Sequence, residues 1–412
     1  MARKSRLHIP HPPARPGDRP DFGYVEISEA GEVDRPEVNS RVKHMESLAH
    51  DMVRVLDDQH AALGPWNPHL DTHELQIALR YLVLSRVFDE RMLRMQRQGN
   101  ISFYMQSTGE EAVSIGAAMA LQPSDMLFPS YRNSGLHFAR GRNPVDLMCQ
   151  CLSNSKDMCK GRQMPIMYHW ARGKIFSISG NLGTQFPQAV GWAMASAIKG
   201  EDAIAAAWLG EGSTAEADFH HALTFAAVYQ APVILNIVNN QWAISTFQGF
   251  AGGERRSFAA RGPGYGIASI RLDGNDLLAV HAVTRWAAER ARTGNGPTLI
   301  EHVTYRAAAH STSDDPSRYR PKDEWRSWPL GDPIERLKRH MIVQGDWTEA
   351  RHDKLVADVR ELVDESWKEA LTHGSMTEGP FLDKYELFED VFKDIPTHLI
   401  SQREQMLGFE ED

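Results

Sequence analysis

The stretch Ala203–Asn240, AIAAAWLGEGSTAEADFHHALTFAAVYQAPVILNIVNN, decides the fold. It opens on a small, apolar run, AIAAAWLG, with no charged residue in it. Such a run suits a strand buried on both faces of a parallel sheet. A second apolar run, APVILNIV, closes the stretch, and the segment between them, Ala215 to Tyr229, reads as a helix. The first strand ends in Gly210-Glu211-Gly212 and the second in Asn239-Asn240. The 26 residues from Ser213 to Val238 are about enough for one helix and one strand. Both polar tips therefore reach the carboxyl edge of the sheet, where open α/β sheets bind ligands. Glu211 offers a carboxylate and Asn240 an amide oxygen, hard donors of the kind Mg²⁺ takes beside phosphate oxygens. A backbone carbonyl just after them, that of Trp242, fits a third position. The free N–H groups of a helix starting near Ala215 favour an anion. Each short motif alone is an ordinary turn; their spacing between two buried strands favours a clamp for a divalent cation and a diphosphate.

Downstream, ASIRLD is a short strand, Leu277 to Arg292 a helix and TLIEHVTYR another strand. Strands alternating with helices predict an α/β fold with a doubly wound, mostly parallel sheet. Upstream, residues 45–60 and 72–98 show helical apolar spacing, and 109–121, 144–153 and 186–200 read as helices. The last, FPQAVGWAMASAIKG, is almost all small or apolar and is expected to be buried. Residues 332–373 are charged with helical spacing, so the region from about 330 to 412 is expected to add helices outside the sheet. Residues 1–45, which include HPPARPGDRP, are expected to form an extended arm rather than a core, leaving 46–412 as the α/β domain.

The chain has 412 residues and a formal charge of −9, with no clustered basic face, which argues against nucleic acid as a partner. No apolar run approaches the roughly 18–20 residues of a membrane span. Arg3, Lys4 and Arg6 are followed by no apolar segment, so the start does not read as a secretory signal. Cys149, Cys151 and Cys159 lie close in sequence, but no fourth ligand with zinc-site spacing accompanies them; they read as buried thiols of a reducing, cytoplasmic compartment.

Residues 210–245 resemble the thiamine diphosphate fingerprint, an acidic residue between glycines followed by paired asparagines. Here Glu211 stands where Asp is usual, and Gln241 follows the pair. SFYMQSTGEEA (102–112), KGRQMPIMYHW (160–170), ARGPGYGIASIRLDGND (260–276) and AAAHSTSDDPSRYR (307–320) resemble the α subunits of the branched-chain 2-oxo acid dehydrogenase E1 component. The likeness covers most of residues 70–400. It implies a sheet of the thiamine diphosphate-binding type, and oxidative decarboxylation of branched-chain 2-oxo acids such as 3-methyl-2-oxobutanoate, with acyl transfer to a lipoyl-bearing E2 core. Pyruvate and acetoin are the alternative substrates within the group. A non-catalytic scaffold is a third reading. A Rossmann dehydrogenase is disfavoured, since no G-x-G-x-x-G follows a strand.

The resemblance also implies roles. Glu211, Asn240 and the carbonyl of Trp242 hold Mg²⁺. Tyr131 and Arg132, in PSYRNSG, contact the diphosphate, as do the amides of Gly212 and Ser213. Leu182 meets the aminopyrimidine ring through its backbone, and Gly180 and Ile244 are further cofactor contacts. Ser179, Asn181, Thr184 and Gln185 match a loop that holds a monovalent cation, K⁺, although turn geometry alone accounts for such residues. His310 contacts a cofactor phosphate and is the catalytic residue that assists acyl transfer. Ser311 matches a phosphorylated position in animal relatives, but simple ordering of the loop is the preferred reading. Phe103 and Tyr104 are candidates for the substrate-channel wall, with ordinary core packing the equal alternative. Val238 departs from the pattern, which has Arg before the asparagines. The glutamate that activates the cofactor belongs to the β subunit, so an α2β2 assembly is expected, with the site between subunits.

Overall fold

The computed structural model describes residues 7–408; the first six residues, with Arg3, Lys4 and Arg6, and residues 409–412 of the C-terminal region lie outside the described residues. The elements run β1 (Met52–Val53), α1 (Thr72–Arg97), α2 (Glu111–Ala120), β2 (Met126–Phe128), α3 (Ser134–Ala139), α4 (Pro144–Leu152), α5 (Gln185–Ile198), β3 (Ala205–Gly210), α6 (Ala217–Tyr229), β4 (Val233–Asn239), β5 (Trp242–Ala243), β6 (Thr246–Phe247), β7 (Ala268–Asp273), α7 (Leu277–Arg292), β8 (Thr298–Val303), α8 (Pro333–Val343), α9 (Glu349–Thr372) and α10 (Thr397–Gly408). Six strands form one sheet in the order β1-β7-β8-β4-β3-β2, and every pairing is parallel. β5 and β6 form a separate antiparallel hairpin.

Successive strand residues face opposite sides of a sheet, and the two apolar runs exploit this. Ala206, Trp208, Ile234 and Val238 pack into one core with α1, α2, α4, α7 and α9. Ala205, Ala207, Leu209, Val233, Leu235 and Ile237 pack into a second core with α5 and α6 on the other face. The sheet is therefore covered on both faces, which explains why its central strands are continuously apolar. The helices have sequence-encoded starts: Asp71 and Glu74 form a capping box at α1, and Asp332 caps α8 ahead of Pro333.

One expectation fails. Residues 45–60 form no α-helix. A short 3₁₀ turn, Glu46–Ala49, leads into edge strand β1. Met52–Leu56 is buried: Met52 and Val53 pair in parallel with Arg271 and Leu272 of β7, and the Asp276 carboxylate takes the N–H groups of Val55 and Leu56 just beyond at 2.8 and 2.6 Å. α5 packs against the sheet and α6 through Phe186, Ala189, Val190 and Ala193, as expected of it, while Gln188, Gly191, Ala195 and Ile198 on its other face are exposed. The described part of the arm has no α-helix or strand and lies on this chain's own body. There it buries Val33 and Met45 and gives the Pro36 carbonyl to Trp286 Nε1 at 2.8 Å. Among the described residues no helix is long and apolar enough to cross a membrane.

The sheet interior holds a buried histidine on a neutral neighbour. His302 on β8 meets Asn236 Oδ1 on β4 at 2.9 Å, and burial holds the imidazole down to about 3. It is neutral when folded, so its contribution to stability is complete above its ordinary value of 6.5 and is lost as pH falls from there toward about 3. Between about pH 7.5 and pH 5, the wild type should lose ~2 kcal/mol more unfolding free energy than His302→Gln, measured by urea denaturation. Parallel pH profiles would contradict this.

Candidate active site

β3 and β4 pair in register to Gly210 opposite Val238, so Glu211 and the two asparagines leave the sheet side by side. Glu211 opens a 3₁₀ turn, Glu211–Ala215, and α6 starts only at Ala217. This corrects the expected helix start near Ala215: the amides that face the strand ends belong to the turn, because Glu216 occupies the cap position of α6. The β5–β6 hairpin lies directly on this turn. A Cβ at Gly212 would come within 2.4 Å of Ala243 Cβ, so only glycine permits the approach. The hairpin connection is itself strained, with φ of 76° at Gln241 and 55° at Ile244. Arg306, fully buried, holds it: Nη1 donates to the Trp242 carbonyl at 2.9 Å and Nη2 to the Ile244 carbonyl at 2.8 Å. Nη2 also reaches the Tyr319 hydroxyl at 2.7 Å.

A cavity of about 500 Å³ opens here. Of the residues singled out in the sequence, Tyr131, Arg132, Gly180, Leu182, Gln185, Glu211, Gly212, Ser213, Val238, Asn240, Trp242, Ile244 and His310 line it. Ser179, Asn181 and Thr184 do not. Their loop is a self-bonded turn: the Asn181 amide donates to Ser179 Oγ at 3.1 Å and Thr184 Oγ1 to the Asn181 carbonyl at 2.9 Å. Phe103 and Tyr104 also stay outside the cavity. Tyr104 is buried in the core with its hydroxyl on Asp89 at 2.7 Å, so core packing is the better account of it. Ser311 Oγ accepts the Ser313 amide within its loop.

The two asparagines have different duties. Asn239 Nδ2 is committed to Gln248 Oε1 and Glu301 Oε1 at 2.9 and 2.8 Å, and Asn239 itself does not line the cavity. Asn240 lines the cavity. Glu211 is 1% exposed; its Oε2 accepts the Asn240 amide at 3.4 Å and its Oε1 has no partner. Burial pushes this carboxyl up to about 7, and nearby Glu110 pushes the same way. A buried carboxylate oxygen without a donor is a costly arrangement that a cation would relieve. The donor set of carboxylate, amide oxygen and carbonyl suits a hard divalent ion. No group of three or more His, Cys, Asp and Glu side chains converges as a metal site among the described residues, here or elsewhere, and Cys149, Cys151 and Cys159 are buried free thiols that burial pushes up to about 11, 12 and 12.

On the facing wall, Arg132 Nη2 donates to His310 Nδ1 at 2.9 Å and to the His310 carbonyl at 2.6 Å, while Nη1 donates to the Gln106 carbonyl at 2.7 Å. Arg306 Nη1 also lies 3.5 Å from His310 Nδ1. A guanidinium only donates, so Nδ1 is an acceptor and the imidazole proton sits on Nε2. Burial, Arg132 and Arg306 together push His310 down to about 3, which keeps it neutral near pH 7. Val238 is 4% exposed at the place where a basic residue was expected, and Arg132 and His310 are the basic side chains of the cavity wall among the described residues. Glu110, Ser130, Phe247, Gln248 and Phe250 also line the cavity and were not singled out from the sequence. The signal for Glu110 was the Glu110-Glu111 pair after Gly109, which reads equally as the acidic first turn of a helix.

Comparison with known proteins bears on the same residues. The dehydrogenase E1 component profile matches residues 79–377, and the profile of the 2-oxoisovalerate dehydrogenase E1 alpha subunit N terminal region matches residues 3–42. The chain is 55% identical over 401 residues to the 2-oxoisovalerate dehydrogenase subunit alpha of Pseudomonas aeruginosa, across 97% of this chain and 98% of that one. It is 40% identical over 358 residues to the mitochondrial 2-oxoisovalerate dehydrogenase subunit alpha of Mus musculus, across 86% of this chain and 79% of that one. With subunit alpha 1 of Arabidopsis thaliana the identity is 40% over 336 residues, 79% of this chain and 67% of the relative.

Arg306→Met should remove the charged donor from the Trp242 and Ile244 carbonyls, the first of them buried, and lower stability by about 2–4 kcal/mol in urea denaturation. Hydrogen exchange at residues 241–246 should accelerate more than in the sheet. Unchanged exchange there would show that Arg306 does not hold the hairpin.

Proposed function

The chain belongs to the dehydrogenase E1 component family, and we propose that it is the α subunit of a branched-chain 2-oxo acid dehydrogenase E1 component, with 3-methyl-2-oxobutanoate dehydrogenase activity. Enzymes of this family depend on thiamine diphosphate. When bound, that cofactor supplies the electron sink for the carbon that loses carbon dioxide. The observation that carries the site assignment is the unpartnered, buried Glu211 Oε1 beside Asn240 in the cavity at the strand ends.

Glu211, Asn240 and the Trp242 carbonyl would seat Mg²⁺. Arg132 and the amides of Gly212 and Ser213 would bind the diphosphate, with Tyr131 packed alongside. The His310 Nε2–H would donate to a phosphate or acyl oxygen rather than act as an acid carrying positive charge. Gly180, Leu182 and Ile244 would meet the rest of the cofactor. A K⁺ at Ser179, Asn181, Thr184 and Gln185 would brace the loop; the unpartnered Gln185 Oε1 supports a ligand near that end, while the Ser179 hydroxyl already serves the turn.

E1 α subunits work with a β subunit and an E2 core. Leu182 and Ile244 are 48% and 54% exposed at the cavity, which supports a site completed by a β subunit in an α2β2 tetramer. That subunit would bring the activating glutamate, and the lipoyl disulfide of E2 would be reduced as it takes the acyl group. Three free thiols support a reducing compartment such as the cytoplasm.

The test is the purified complex with the β subunit. Decarboxylation of 3-methyl-2-oxobutanoate should greatly exceed that of pyruvate; a strong preference for pyruvate overturns the substrate assignment. Glu211→Ala should weaken Mg²⁺-dependent cofactor binding by more than ~100-fold, since even outer-sphere partners of a metal are worth about 10–100-fold. Undiminished binding would refute the metal site.

A further inference from the structure

Two consecutive glutamates enter the first turn of α2, and only one has a structural use of its own. Glu111 pairs with Arg86 and accepts the Gly109 amide at 2.9 Å. Glu110 turns the other way, into the cavity wall, where it is 4% exposed. Its closest cation is Arg132, with Nε at 3.9 Å, and both Nη atoms of that arginine are engaged elsewhere. Its strongest contact is a single hydrogen bond: Asn240 Nδ2 donates to Glu110 Oε1 at 2.8 Å.

An asparagine amide has nearly isosteric ends, and only the oxygen end can bind a cation. An ionised carboxylate accepts and does not donate, so with a cation beside it Glu110 takes only the NH₂ end. We propose that Glu110 is a positioning residue that holds the NH₂ end of the Asn240 side-chain amide and so presents its oxygen end to the divalent cation. The Trp242 amide, 3.3 Å from Asn240 Oδ1, favours the same orientation from the other side. This proposal rests on the cation–diphosphate reading of the cavity.

The backbone under Glu110 is held rigidly enough for such a task. Gly109 has φ of 97°, and a Cβ there would lie 2.3 Å from the Tyr305 carbonyl. The Gly109 carbonyl accepts both Asn275 Nδ2 and Thr304 Oγ1 at 3.0 Å, and the Thr108 carbonyl accepts the Ala307 amide at 3.0 Å. Through these bonds the residue before Glu110 is tied to the same strand-end region that carries the hairpin and His310. Holding a metal-ligating group by an outer partner is a common way to raise cation affinity.

The experiment measures the Mg²⁺ concentration that half-saturates thiamine diphosphate binding to the complex with the β subunit, by equilibrium dialysis. Glu110→Ala should raise that concentration by ~10–100-fold, the range expected for an outer-sphere partner. The decisive arm uses Asn240→Asp, whose two carboxylate oxygens are equivalent and need no orienting. In that background Glu110→Ala should cause no loss, and relief of like-charge repulsion should improve binding. Equal weakening in both backgrounds would mean a merely structural role and would overturn the proposal, as would a Glu110→Ala constant within about twofold of wild type, well short of that range. Glu211→Ala is run in parallel. If it also leaves Mg²⁺ dependence unchanged, the cation reading itself fails; if it abolishes binding while Glu110→Ala does not, Glu110 alone is wrongly assigned.

Discussion

The parallel pairing of β3 with β4 is the constraint on which the rest of the structure depends. Its register ends with Gly210 opposite Val238 and so delivers a carboxylate and an amide to the same point beyond the sheet. Each neighbouring feature follows from keeping those two groups together. Gly212 is bare because the hairpin must lie on the turn, and the hairpin can adopt its strained backbone because Arg306 spans two of its carbonyls. The small side chains of β3 serve the same end. Alanines at 205, 206 and 207 let helices pack closely on both faces, which fixes the strand between two dry layers.

The electrostatics of the cavity are those of a site awaiting charge. Glu110 and Glu211 are buried together and are both pushed up to about 7, chiefly by loss of solvation. Arg132 and Arg306 stand against them, yet their donors are used on His310 and on backbone carbonyls. A divalent cation beside a diphosphate would satisfy both sets: the cation meets the carboxylate, and the phosphate oxygens meet Arg132 and the turn amides. His310 gains a definite tautomer from the arrangement, since two guanidinium groups can face Nδ1 only as donors. With Val238 in place of a basic residue, the anion-binding wall has a single guanidinium.

The central βαβ unit was legible because each strand is apolar on both faces and ends in punctuation that glycine and asparagine make plain. The helix at 72–98 was legible from its apolar period and that at 109–121 from its run of small residues. Residues 45–60 were not: their apolar spacing fits a helix, and only distant partners, β7 beside Met52–Val53 and Asp276 on the next amides 220 residues or more away, make the segment extended. The extent of α6 was misread for a local reason, since a 3₁₀ turn and an acidic cap precede it. Tyr131, Arg132 and His310 were named through family likeness, because residues brought together from 131 to 310 leave no spacing signal. Glu110 and Arg306 escaped notice because their roles consist of contacts made across the fold.

The most direct measurement is a crystal structure of the complex with the β subunit, grown with thiamine diphosphate and Mn²⁺ in place of Mg²⁺, with the metal located by anomalous scattering. The account predicts one peak per α subunit at the end of β3, within about 2.1–2.3 Å of a Glu211 carboxylate oxygen, Asn240 Oδ1 and the Trp242 carbonyl, and bridging to the diphosphate. A peak that leaves Glu211 and Asn240 unbound, or a cofactor seated with its diphosphate away from Arg132 and the Gly212 turn, would contradict it.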